Sequence, residues 1–178
     1  MKREDITDIP PAAGLDGATL DSVKAFHSVG FTVSTIGYAV ARDFRKILAP
    51  LELEPREFAL LRAVASSEGQ SQQAIGERLQ IPSSRMVAFI DALEARGLIE
   101  RRRNPNDRRS HALHLTPAGR ELVERAFAVA LAHERRVCAG LTAPEREQLL
   151  TLLQRVAGEL GLPAGVHSAM GHAEAADE

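Results

Sequence analysis

The stretch SSRMVAFIDALEARGLIERRRNPNDRRSHALHLTP, residues 83–117, decides the fold. Its first half is helical. Met86, Ile90 and Leu93 recur at spacings of three and four with Phe89 beside them, and Gly97 is the stop expected just past a helix C-terminus. After Gly97 the period becomes that of strands. Leu98–Arg102 and His111–Leu115 flank Asn104-Pro105-Asn106-Asp107, strong turn chemistry, so the segment predicts a two-stranded hairpin with a long basic tip.

Upstream lie two more short helices. Pro55 suits a first helical turn, and Phe58, Leu61 and Val64 share one face before Ser66-Ser67-Glu68-Gly69 ends it. Ser71 is the expected cap of a brief helix carrying Ala74, Ile75 and Leu79, and Ile81-Pro82-Ser83 connects it tightly to the next. Helix, helix, tight turn, helix and hairpin make a winged helix-turn-helix.

Further out, Phe26, Val29, Val33, Ile36, Val40, Phe44 and Ile47 predict a long helix from about Leu20 to Leu48. Thr116-Pro117 opens another, running to about Cys138, and Thr142-Ala143-Pro144-Glu145 is a capping box for a last helix bearing Leu149, Leu152, Leu153, Val156 and Leu160. The expected class is mainly α with a small β-hairpin: a winged helix-turn-helix flanked by N- and C-terminal dimerisation helices. The expected divisions are a flexible arm (1–18), a dimerisation helix (19–50), the winged domain (51–116), C-terminal dimerisation helices (117–160) and a disordered tail (161–178).

The 178 residues are 44% hydrophobic and 26% charged, which excludes a chain disordered throughout. The net charge of −2 is unevenly spread. Arg96, Arg101, Arg102, Arg103, Arg108 and Arg109 stand against only Glu100 and Asp107, so this short segment carries +4 on an otherwise acidic chain. That suits a protein presenting one edge to phosphate. Cys138 is the only cysteine, which excludes an intramolecular disulfide framework and a multi-cysteine metal cage. The N-terminus lacks the apolar core of a signal peptide, and the uncharged run Ala25–Ala41 falls short of the roughly 20 apolar residues of a membrane span. A cytoplasmic protein is expected, with that run buried between subunits and no membrane partner.

The major groove, about 12 Å wide, admits one α-helix. The Gln72–Gln80 helix would brace the Ser83–Arg96 helix so that its N-terminal end enters that groove in double-stranded DNA. Ser83, Ser84 and Arg85 lie at that end, off the apolar face. Arg85 suits guanine O6 and N7, and the serines suit phosphate or a base edge. Ala88 offers at most a methyl contact. Adjacent strand residues point to opposite faces, so only part of Arg101-Arg102-Arg103 can meet DNA; Arg101 and Arg103 are the candidates. At the tip, Arg108 is assigned to the backbone and Arg109 to the minor groove, with Asp107 pairing with Arg109 and directing it. The alternative from another class is a winged-helix module that meets an acidic protein surface. No Gly-rich phosphate loop, nucleophile elbow or metal-binding histidine pair occurs, so no catalytic residue, metal or cofactor is expected. His133 and the other histidines read as surface or capping groups.

Three segments at this spacing, Leu93-Glu94-Ala95-Arg96-Gly97-Leu98-Ile99-Glu100-Arg101, Asn106-Asp107-Arg108-Arg109 and Leu113-His114-Leu115-Thr116-Pro117-Ala118-Gly119, resemble the MarR (multiple antibiotic resistance regulator) transcription factors. The resemblance covers about residues 31–160. It implies an obligate homodimer whose first and last two helices interlock, and two winged domains reading a pseudo-palindrome. It implies a repressor released by a small aromatic or anionic effector bound between the dimer helices and the DNA-binding lobe. Arg109 matches the family's minor-groove arginine and Asp107 its orienting partner. Val87 and Ala88 depart from the pattern, standing where many members carry Thr and Arg, and the N-terminal arm is longer than typical. His27, Tyr38, Arg42 and Arg62 are the candidate effector-pocket residues. Redox- and metal-responsive members also exist. Cys138 lies far from the N-terminal position of a sensing cysteine and is expected to be a buried, inert thiol.

Overall fold

The computed structural model describes residues 28–104 and 107–162, and for 104 and 107–110 it describes the backbone alone. The expected arm, the start of the long helix with His27, the Pro105-Asn106 tip and nearly all of the expected tail lie outside the described residues. In order, the elements are α1 (Val29–Leu48), a 3-10 turn (Ala49–Leu51), α2 (Pro55–Ala65), α3 (Gln72–Leu79), α4 (Ser83–Ala95), β1 (Ile99–Asn104), β2 (Asp107–Leu115), α5 (Pro117–Val137) and α6 (Ala143–Glu159). The chain divides into two compact units, residues 1–39 and 40–178. The first contributes the opening turns of α1, with Val29, Phe31, Ile36 and Tyr38 exposed.

In the second unit, α2, α3, α5 and α6 each start where a side chain satisfies backbone donors left over by the first turn. Glu54 and Glu57 form a capping box at α2. The Ser71 hydroxyl accepts from the Ala74 N–H at 3.2 Å to start α3. Thr116 does the same for Gly119 at 3.0 Å at the head of α5. Thr142 and Glu145 form the capping box of α6. Gly97 ends the α4 segment with φ +67°, the left-handed conformation that glycine adopts without penalty.

The core collects one face from each element of the winged region. Phe58, Leu61 and Val64 of α2, Ile75 and Leu79 of α3, and Met86, Ile90 and Leu93 of α4 pack with Ile99, Leu113 and Leu115 of the hairpin. Met86, Ile90 and Leu93 are at most 1% exposed, so each contributes about 1.5–3 kcal/mol to holding α4 against its neighbours. The hairpin is antiparallel, pairing Ile99 with Leu115, Arg101 with Leu113 and Arg103 with His111, and its register shifts at Arg103/Asn104. On its other edge β2 is tied to the α2–α3 connection. The Gly69 N–H donates to the Leu113 carbonyl at 3.0 Å and the Leu113 N–H to that of Gln70 at 2.9 Å.

Two arginines clamp this frame. Arg78 of α3 donates to the Ala63 carbonyl at the end of α2 and to the Ser67 hydroxyl, both at 2.7 Å. Arg96 donates to the Glu52 carbonyl at 2.6 Å and to Glu57 at 3.2 Å, joining the end of α4 to the start of α2. The hairpin meets α5 through a close backbone approach. The Thr116 N–H donates to the Leu98 carbonyl at 3.1 Å, and a Cβ at Gly119 would fall 2.0 Å from that same oxygen.

Two expectations are corrected here. His133 is not a surface or capping group. It is 7% exposed, its ring lies 5.6 Å from that of Phe44, and its Nε2 has no hydrogen-bond partner among the described residues. Cys138 is only half-buried: it caps α5 with its thiol 3.4 Å from a Glu134 carboxylate oxygen. Burial, that hydrogen bond and the Glu134 charge push the thiol pKa up, against a smaller opposing effect of Arg146.

Candidate nucleic-acid interface

The turn between α3 and α4 fixes how α4 is presented. Gln80 adopts φ +55°, and the Ile81 N–H donates to the Gly76 carbonyl at 2.9 Å, so the chain reverses within Ile81-Pro82 before α4 begins. Pro82 occupies the cap position of α4 without a side-chain hydrogen bond. With Met86, Ile90 and Leu93 turned into the core, Ser83, Ser84, Val87 and Ala88 are exposed and Arg85 is half-buried. Val87, which departs from the family pattern, is 44% exposed, an apolar residue on the outer face of α4. An open groove of about 560 Å³ runs between α3 and the first half of α4, with Gln72, Gln73, Glu77, Ser83 and Val87 among its walls.

The arginine run of β1 is not uniform. Arg103 is exposed. Arg102 pairs with its neighbour Glu100. Arg101, expected on DNA, is turned away from that role. Its guanidinium donates to Asp91 at 2.5 Å, to Glu94 and to Gln72 at 3.4 Å, while its backbone N–H donates to Glu94 at 3.2 Å. The physical reason is strand alternation. Arg101 shares the face of buried Ile99 and stands opposite buried Leu113, so it faces α4 rather than solvent. Burial disfavours its charge, and the hydrogen bonds and charges of Asp91 and Glu94 outweigh that, leaving its pKa raised.

The hairpin backbone carries Asp107, Arg108 and Arg109 at the start of β2, beyond the bulge; their side chains lie outside the described residues. At the base of the wing, Glu68 accepts from Arg120 at 2.7 Å and from the Leu115 N–H at 3.4 Å. Of the four candidate effector residues, Tyr38 is exposed in the first unit. In the second unit, Arg42 is paired with Asp43 at 3.3 Å and Arg62 is exposed on α2. Neither Arg42 nor Arg62 lines the α3–α4 groove. Among the described residues no cluster of three or more His, Cys, Asp or Glu suits a metal ion, and no helix is long and apolar enough to cross a membrane.

The MarR family model matches residues 53–111, the stretch from the start of α2 into the wing. The HTH-type transcriptional regulator YkoM of Bacillus subtilis is 34% identical over 114 residues, which span 64% of this chain and 69% of YkoM. The chain belongs to the MarR family. Membership makes this MarR protein a DNA-binding transcriptional regulator rather than an enzyme. Among solved structures it is similar to the transcriptional repressor CouR bound to a 23-mer DNA duplex. That likeness has 35% identity and a TM-score of 0.68, over 78% of this chain and 97% of CouR. It is also similar to the Mycobacterium tuberculosis MarR-family protein Rv2887 in complex with p-aminosalicylic acid. There the identity is 28% and the TM-score 0.58, over 74% of this chain and 99% of Rv2887.

Proposed function

We propose that this MarR protein is a cytoplasmic, homodimeric repressor that reads a pseudo-palindromic operator and leaves it when a small aromatic or anionic effector binds. The observation that carries the reading is the α3–α4 pair with its arginine-bearing hairpin, in a chain 35% identical to a repressor solved on duplex DNA. Ser83, Ser84, Arg85 and Ala88 would enter the major groove. Arg103 and Arg108 would hold phosphate, and Arg109, directed by Asp107, would enter the minor groove.

Dimerisation is supported by α6. It buries no residue, and Leu149, Leu152, Leu153 and Val156 share one helical stripe while each is 39–47% exposed. A helix with such a face lacks its packing partner until a second surface covers it. The effector reading is supported by the aromatic anion in the Rv2887 complex; His27, Tyr38, Arg42 and Arg62 are its proposed contacts. The proposed divisions are an arm over 1–18, dimerisation helices over 19–50 and 117–160, a winged domain over 51–116 and a tail over 161–178. The test is footprinting on a duplex selected from random sequence. Two half-sites about one helical turn, roughly 10 bp, apart are expected. A single unpaired half-site refutes the dimeric reading.

A further inference from the structure

A reading helix in one groove and a wing in the next engage DNA together only if the angle between them is right. We propose that Arg101 is the positioning residue that sets this angle. The inference rests on the DNA-binding reading above and adds to it a part that touches no DNA. One guanidinium joins three elements: it leaves β1, donates to Asp91 and Glu94 on α4, and reaches Gln72 at the head of α3. The Arg101 backbone N–H donates to the same Glu94, so strand and helix are held at two points. With 22% of its side chain exposed, the guanidinium is largely withdrawn from water, where charge-assisted bonds are strongest.

The charge balance argues for geometry over attraction. Two carboxylates beside one arginine leave this junction net negative, next to the surface that must approach phosphate. Buried Ile99 and Leu93 already hold β1 and α4 together by apolar contact. Apolar packing leaves room for sliding, whereas a planar fork with three fixed acceptors does not.

The test uses the full-length protein, a duplex it selects from random sequence, and anisotropy titration at one salt concentration, with circular dichroism to confirm folding. Arg101→Lys keeps the charge but replaces the fork by a point ammonium. It is expected to weaken binding about tenfold, the size of one lost wing-arginine contact. The double variant Asp91→Asn/Glu94→Gln makes the domain more positive, which by charge alone tightens DNA binding; a loss of threefold or more is expected instead. In an Arg109→Ala background, Arg101→Lys is expected to cost less than a further twofold, because the wing contact it positions is already gone. Wild-type affinity in Arg101→Lys, tighter binding by the Asp91/Glu94 variant, or additive losses with Arg109→Ala would each overturn the inference while leaving the DNA-binding reading intact. Failure of the wild-type protein to select any duplex would overturn both.

Discussion

Replacing Gly119 by alanine tests the junction between the wing and α5. A Cβ built there lies 2.0 Å from the Leu98 carbonyl oxygen, 2.9 Å from its carbon and 3.2 Å from its Cα. All three are backbone atoms, so no rotamer change relieves the overlap; α5 must move away from Leu98, just before β1, by more than 1 Å, on the order of the deficit to a normal contact. That movement also breaks the Thr116 N–H bond to Leu98 and disturbs the cap in which the Thr116 hydroxyl donates to the Gly97 carbonyl at 2.6 Å. Overpacking costs roughly 1–3 kcal/mol, and two weakened hydrogen bonds add about 0.5–1.5 kcal/mol each. Against this, alanine gains up to about 1 kcal/mol of helix propensity. The expected net loss is about 3–4 kcal/mol, a large share of a total near 5–15 kcal/mol. Urea unfolding measures it, with Gly140→Ala as the control, since a Cβ there meets nothing within 4 Å. Gly119→Ala should lower the midpoint strongly and Gly140→Ala hardly at all. A Gly119→Ala loss below about 1 kcal/mol would refute the close approach that the argument rests on.

Glu68 gives a pH dependence. Desolvation raises its pKa, but hydrogen bonds from Arg120 and the Leu115 N–H and the charges of Arg120 and His114 outweigh that and hold it below the ordinary value. Its contribution is therefore present above the unfolded pKa near 4.5 and is lost as pH falls through the lower folded value. Unfolding measured from pH 6 to pH 3 should show an acid loss that Glu68→Gln reduces; an unchanged profile contradicts the pairing. Cys138, its thiol raised by burial and Glu134, should alkylate more slowly at pH 8 than a free thiol, and Glu134→Gln should speed it. Rapid alkylation of the wild-type protein contradicts this. His133→Leu removes a buried, unpartnered Nε2 and with it a ring contact to Phe44. The first costs the native state about 1–3 kcal/mol and the second stabilises it by about 0.5–1.5, so thermal unfolding should show a gain of about 1 kcal/mol. A clear loss would show that the imidazole has a partner in solution.

Much of the winged region is legible in the sequence because its signals are local. The switch from helical spacing at Met86, Ile90 and Leu93 to strand spacing after Gly97 gives α4 and the hairpin directly, and Ser71, Thr116 and Thr142 announce helix starts that the structure contains. What escaped was longer-range. Arg101 reads as one of three like charges, yet it sits two residues from buried Ile99 on the same strand face, and that alternation foretells an inward side chain. Its partners Asp91 and Glu94 lie on another element, where no local pattern connects them to it. His133 follows Ala126 and Ala130 at helical spacing, so the stripe that buries Ala126 carries the imidazole inward as well. Position on the helix outweighs polarity there. Val87 departs from the family pattern, and its 44% exposure follows from the turn of α4 alone.

DNA binding through α4 and the wing is the central claim, and the salt dependence of duplex affinity tests it most directly. With Arg101 held by Asp91 and Glu94, and Arg102 by Glu100, the proposed phosphate-facing arginines of each subunit reduce to Arg103 and Arg108. The two subunits of the proposed dimer then give a slope of log affinity against log salt near −4, at about −0.9 for each phosphate neutralised. A slope of that size, falling in magnitude when Arg108 is replaced by alanine, is the expected result. No measurable duplex binding at low salt, or binding indifferent to salt, would contradict the account.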